Sequence, residues 1–128
     1  MSGETDLTTL IRGMRPVLAP ETYVFVTTTA SPDIPARMRF EEAEGTTLIL
    51  TRAAAAAAGL AYEFPCRMIT LNVHSALEAV GFIARIATHL AAEGMGVNPV
   101  AGFHHDHLFV PEDRAEDAMR ALTALAAG

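Results

Sequence analysis

The densest chemistry in the sequence is the run His104-His105-Asp106-His107. If the run is extended, His105 and His107 at i and i+2 share a face, a spacing compatible with a divalent metal, and Asp106 is placed to orient a neighbouring imidazole. A closed zinc site needs four ligands, and a catalytic one needs three plus an open position. Only His74 and His89 remain beyond the run, with no partnering cysteine. The expected roles are therefore a hydrogen-bonded hairpin and a subunit contact, with no metal and no other cofactor.

Ser75 and Glu78 form a second constellation. A serine followed three residues later by a glutamate is a capping box: the serine oxygen accepts the third amide of the helix, and the glutamate reaches back to the cap. The turn Asn72-Val73-His74-Ser75 then delivers the chain onto a helix start, where the free amides of Leu77 to Val80 and the helix dipole favour an anion such as an α-carboxylate. Nucleophile machinery is not apparent. Ser75 follows His74, but neighbours in a turn point apart and no G-x-S-x-G elbow surrounds them. Gly94-Met95-Gly96 lacks the third glycine of a dinucleotide fingerprint and ends a helix where the fingerprint would open one. Cys66 precedes a buried strand and reads as a small apolar residue.

The elements around these residues are legible from periodicity. Arg67 to Val73 alternates, with Ile69, Leu71 and Val73 on one face, as a half-buried strand does. A helix from Ser75 would carry a stripe of Ala76, Val80, Ile83, Ala84, Ala87, Leu90 and Ala91 and end at Glu93-Gly94. Met95 to Phe103 returns as a strand in which Pro99 removes a ladder donor, so it belongs at an edge or a bulge. His107 to Val110 is extended, and Pro111 opens a last helix with Glu112 and Asp113 in its first turn and a buried stripe of Ala115, Ala118, Met119, Leu122 and Leu125.

Upstream, Met1 to Thr5 is patternless and expected to fray. Asp6 can cap a helix carrying Leu7, Leu10, Ile11 and Met14 that stops before Pro16. Glu21 to Thr28 is a strand apolar on both faces. Ser31 to Pro35 is a proline-broken loop. Arg37 to Glu42 and Thr46 to Leu50 form a hairpin around Glu44-Gly45, Thr51 caps a helix over Arg52 to Leu60 that includes six successive alanines, and Ala61 to Pro65 is a linker.

Composition bounds the rest. The 128 residues, 51% of them hydrophobic, suffice for one globular unit or two small fused ones. No apolar run is long enough to span a bilayer, and no basic-then-apolar leader opens the chain. The net charge of −6, from 15 acidic against 9 basic residues with lysine absent, would repel a phosphate backbone and disfavours nucleic-acid and anionic-membrane partners. A single cysteine excludes an internal disulfide and makes a reducing, cytoplasmic setting the default.

The order β-α-β-β-α of the second half is one strand short of the split βαβ, ferredoxin-like unit. In that order, with VHSALEAVG at Val73 to Gly81 and AGFHHDHLFVP at Ala101 to Pro111, the sequence resembles ACT domains, small-ligand modules of amino-acid metabolism. From about Leu7 to Leu122 it is similar to compact bacterial proteins built from two ACT-like units. The resemblance implies an α+β fold of two tandem ferredoxin-like βαββαβ units, with antiparallel sheets and helices packed on one face. Residues 1–64 would be an abbreviated first unit and residues 65–128 the second. The halves align when the Leu7 helix is set against the Ser75 helix, Tyr23–Val26 against Val97–Ala101, and Thr46–Leu50 against His107–Val110, the units sharing a strand or completing each other's sheet.

The resemblance also implies a function. A small amino acid or related metabolite would contact Asn72, His74, Ser75, Leu77 and Glu78 on one side, Glu78 taking its ammonium group, and Met95 to Asn98 on the other. The protein would be regulatory and non-catalytic, acting as a homodimer through the Pro99 edge and Phe82, or presenting a surface to a metabolic enzyme. The competing readings are a small enzyme or metal-binding protein using the His104–His107 cluster, and a structural interaction module without a ligand.

Overall fold

The computed structural model describes residues 3–30 and 33–128, so Met1, Ser2 and the Ser31-Pro32 part of the expected loop lie outside the described residues. The elements in chain order are α1 (Leu7–Gly13), β1 (Pro16–Thr28), β2 (Met38–Glu42), β3 (Gly45–Thr51), α2 (Arg52–Ala57), β4 (Glu63–Leu71), α3 (Phe82–Ala91), β5 (Asn98–Ala101), β6 (Asp106–Pro111), a 3-10 turn (Glu112–Arg114) and α4 (Ala115–Ala127). Packing divides the chain into two units, Met1–Pro20 with Arg67–Gly128, and Glu21–Cys66. This differs from a division at 64/65, because α1 and the first residues of β1 pack with the C-terminal elements. Strand β1 passes from the first unit into the second, and β4 passes back.

In the first unit the strand order is β1-β4-β6-β5. Pro16–Pro20 thus supplies the strand that the second half of the sequence lacked, which completes a ferredoxin-like unit in permuted order. Asp6 caps α1 as its sequence predicts, its carboxylate accepting the Thr9 amide at 2.9 Å. Leu10 and Ile11 of α1, Phe82, Ile86 and Leu90 of α3, and Ala115, Ala118 and Leu122 of α4 pack on Ile69, Leu71, Leu108 and Val110. The helices therefore cover one face of the sheet. Antiparallel pairing places Asn98 opposite Phe109 and Pro99 opposite Leu108, so Pro99 does sit in an edge strand, where proline is tolerated.

In the second unit the order is β2-β3-β1-β4. The β2–β3 hairpin turns at Ala43-Glu44, one residue earlier than the expected Glu44-Gly45, with Gly45 already paired to Glu42. Val24, Val26, Leu48 and Leu50 form a core with Ala55 of α2. In this order Tyr23–Val26 holds the place that β4 holds in the first unit, so it does not correspond to Val97–Ala101, and the Leu7 helix belongs to the other unit. What this unit lacks is a helix between β1 and β2 among the described residues. The expected linker from Ala61 is in fact strand from Glu63 onward, with Pro65 where β4 is an edge of this unit.

Two further expectations are overturned. Glu4 does not fray: it bridges Ser75 in parallel, its N–H donating to the His74 carbonyl at 2.9 Å and its carbonyl accepting the Ala76 N–H at 2.9 Å. Helix α3 does not begin at Ser75. It starts at Phe82, after Gly81 at φ 91°, a left-handed conformation that suits glycine. The alanine stripe phased from Ala76 gives way to the row Phe82, Ile86, Leu90, which buries far more apolar surface for the same helix length, while Val80 is left 85% exposed.

Candidate functional site

Residues 72–81 form a loop, and its groups are used differently from a capping box. The Ser75 hydroxyl donates to Asp106 Oδ2 at 3.1 Å, with both residues buried. A buried carboxylate without a partner is costly, so this bond outweighs the cap that Ser75 offers locally. Glu78 is exposed. The loop is clamped by the Glu4 bridge and by the Ser75 N–H donating to the Val73 carbonyl at 3.0 Å. On its other side stands the β5–β6 turn, closed by Gly102 N–H donating to the His105 carbonyl at 2.9 Å.

Between loop and turn opens a pocket of about 200 Å3, lined among others by Ser75, Leu77, Gly81, Phe82, Gly102 and Asp106. Gly81 has no side-chain cap, and among the described residues no protein acceptor meets the N–H groups of Phe82, Ile83 or Ala84, which also line the pocket or adjoin it at the helix start. One side of the pocket is therefore electropositive through amides and the α3 dipole. The other carries the Asp106 carboxylate. The arrangement can hold a small molecule bearing an anionic and a cationic group.

Of the residues predicted for ligand contact, the pocket brings together Ser75 and Leu77. Asn72 lies just past β4, its N–H donating to the Arg15 carbonyl at 3.0 Å. The His74 ring stands 5.3 Å from that of His104. Glu78 lies on the loop surface, and Asn98 opens the exposed edge strand. Met95 is buried in the core. The pocket residues that the sequence reading did not assign to ligand are Ala76, Ala79, Gly81 to Ala84, Ala101, Gly102 and Asp106. A glycine before an amphipathic run was the available signal for the true helix start.

The histidine run is divided: the His104 ring stands 5.3 Å from that of His74 and 6.4 Å from that of His105, while the other members find separate partners. His105 Nδ1 lies 3.3 Å from the Val73 carbonyl, Asp106 is bound to Ser75, and His107 Nδ1 lies 3.0 Å from Thr70 Oγ1. His105 precedes the strand that His107 joins. Among the described residues no group of three or more histidine, cysteine or acidic side chains is arranged to hold a metal. Phe82, expected at a dimer contact, is 3% exposed inside its own unit. No helix among the described residues is long and apolar enough to cross a membrane.

Comparison with known proteins agrees with this architecture. Two family models described as ACT domain match the chain, one over residues 2–67 and the other over residues 63–124. The chain belongs to the ACT-domain family. It is similar to a protein of unknown function from Vibrio cholerae, a possible transport protein, with 40% identity over 94% of this chain and 95% of that one and a TM-score of 0.86. A protein from Agrobacterium tumefaciens shares the fold at 16% identity, 88% and 89% coverage and a TM-score of 0.73. So does the ligand-free regulatory subunit of aspartate kinase from Thermus thermophilus, at 12% identity, 90% and 97% coverage and a TM-score of 0.65. No curated protein matches the chain.

Proposed function

We propose that this ACT-domain protein is a non-catalytic regulator that binds a small free amino acid or closely related metabolite in the pocket beside the start of α3. The observation that carries this reading is the pairing of open helix-start amides with the Asp106 carboxylate across a pocket of about 200 Å3. The amides take the ligand carboxylate, and the oxygen of Asp106 not bound to Ser75 takes the ammonium group. The volume lies below the usual range for drug-sized ligands of about 300–1,000 Å3, which selects a small side chain. That the aspartate kinase relative is a regulatory subunit supports the same class of role.

A second copy of the chain is the natural partner for the rim. Leu77, Val80 and Phe103 are 66, 85 and 61% exposed, beside the edge strand β5. A cytoplasmic setting and a regulated metabolic enzyme complete the reading.

The test is a thermal-shift screen of the twenty amino acids against the parent chain and Asp106→Asn. A ligand present at a hundred times its dissociation constant stabilises the fold by about 2.7 kcal/mol, a rise of several degrees, and the variant loses that rise. If no amino acid raises the midpoint, the ligand reading fails and an interaction module remains.

A further inference from the structure

The loop and the turn that wall the α3 pocket also bring two histidines together at the surface of the first unit. His74, half-buried in the 72–81 loop, and His104, exposed in the β5–β6 turn, stand with ring centroids 5.3 Å apart and ring planes tilted by 57°. Each is positioned through its backbone. The His74 carbonyl accepts the Glu4 N–H at 2.9 Å, and the turn that carries His104 is closed by the Gly102–His105 bond at 2.9 Å. Phe103 braces the His104 ring edge-on, with centroids 5.1 Å apart and planes at 74°. Neither imidazole lines the α3 pocket.

Their separation matches two imidazoles on one tetrahedral ion. A zinc–nitrogen bond of about 2.0–2.1 Å, with about 1.1 Å more from ring nitrogen to centroid, puts two centroids about 5.2 Å apart at the tetrahedral angle. His105 does not fit the same ion. At 6.4 Å from His104 the two rings would need a nearly linear arrangement, which tetrahedral zinc does not take. Two nitrogens are half of a closed four-ligand site, and among the described residues no third histidine, cysteine or acid completes it within one chain. The remaining ligands must come from outside the chain. Beside the pair lie Leu77, Val80 and Phe103, 66, 85 and 61% exposed, the rim on which a second copy is placed above. A two-fold contact presents the same residues from both copies, so two ligands become four.

We propose that His74 and His104 form half of a zinc site that the same two residues of a second copy complete, so that the ion closes a dimer at this rim. Zinc is the ion of choice because a filled d shell imposes no geometry of its own and imidazole suits it. The proposal rests on the reading that a second copy covers the rim, and it is independent of the amino-acid pocket.

The experiment titrates zinc into the metal-free full chain, carrying no histidine tag, and reads bound ion by calorimetry and mass by analytical ultracentrifugation. The expected result is one ion bound per two chains, with a rise in the dimer fraction that a chelator reverses. His104→Ala, a change at an exposed turn residue, weakens zinc binding by about a hundredfold or more and removes that rise, because the ion is left with two ligands. His105→Gln, which takes an imidazole from the run but not from the pair, leaves both as in the parent. The proposal is overturned if the chain binds no zinc, or if His104→Ala binds it as the parent does. One ion per chain with no change in mass overturns it too, as an adventitious ion only. A dimer indifferent to zinc and chelator overturns the metal site while leaving the rim as a contact between copies. The amino-acid screen of the α3 pocket is read separately, so its failure is distinct from any of these.

Discussion

Ser75 Oγ donates to Asp106 Oδ2 at 3.1 Å, a bond between two buried residues 31 positions apart. It ties the loop after β4 to the start of β6, and those are the two walls of the candidate pocket. Ser75→Ala removes the donor and leaves the carboxylate with one partner fewer, which destabilises the fold by about 1–3 kcal/mol. Urea unfolding measures it, and an unchanged midpoint would show that the bond does not form in solution.

Gly3 lies so close to the 74–76 backbone that an added Cβ would fall 2.5 Å from the His74 carbonyl oxygen. Backbone cannot yield as a flexible side chain can, so Gly3→Ala releases the Glu4 bridge. The Ala76 amide, which donates to the Glu4 carbonyl, then exchanges with solvent about tenfold faster or more, corresponding to a local loss of about 1.4 kcal/mol. Protection factors for Ala76 in the parent and variant chains decide it, equal values counting against the clamp.

Gly102 faces a similar limit. A Cβ there would lie 2.8 Å from the His105 carbonyl oxygen, the group that closes the β5–β6 turn. Gly102→Ala is expected to cost about 1–3 kcal/mol and to weaken any ligand of the pocket that Gly102 lines. Gly96→Ala, with open space around its Cβ and outside that lining, serves as the control and should leave both properties near the parent values.

Two solvent-accessible carboxylates shape the acid limb of stability. The backbone amide of Thr9 lowers the Asp6 pKa below its ordinary 3.8, and the Arg114 side chain, 2.8 Å away, lowers that of Asp117. Because both are depressed in the folded chain, their contribution is present above pH 3.8 and is lost as the pH falls through the folded values. Asp117→Asn should therefore flatten the decline below pH 3.8 without changing the slope near neutrality. Unfolding midpoints measured across the acid range check this, and an identical acid slope in the variant would contradict it.

The sequence by itself determined the elements whose signals are local. Asp6 before Leu7 and Thr51 before Arg52 cap the helices they precede, since a cap needs only a side-chain oxygen three residues from an amide. Pro99 marked an edge strand, because a missing N–H has the same meaning wherever it occurs. The ACT class was likewise legible, through element order and the Val73–Gly81 and Ala101–Pro111 segments. Only the tertiary structure decided that Pro16–Pro20 completes the sheet of the C-terminal elements, a pairing that no periodicity records.

The same limit applied to the pocket. Ser75 and Glu78 fit a capping box, yet the partner that claims Ser75 is 31 residues away, and a buried carboxylate outweighs a solvent-exposed cap. Helix α3 consequently begins at Phe82, where Gly81 permits the left-handed turn and a row of large apolar residues can be buried. Local chemistry proposed an amide-lined ligand site. Long-range packing chose which amides line it, because the free energy of burial depends on neighbours that the linear order does not bring together.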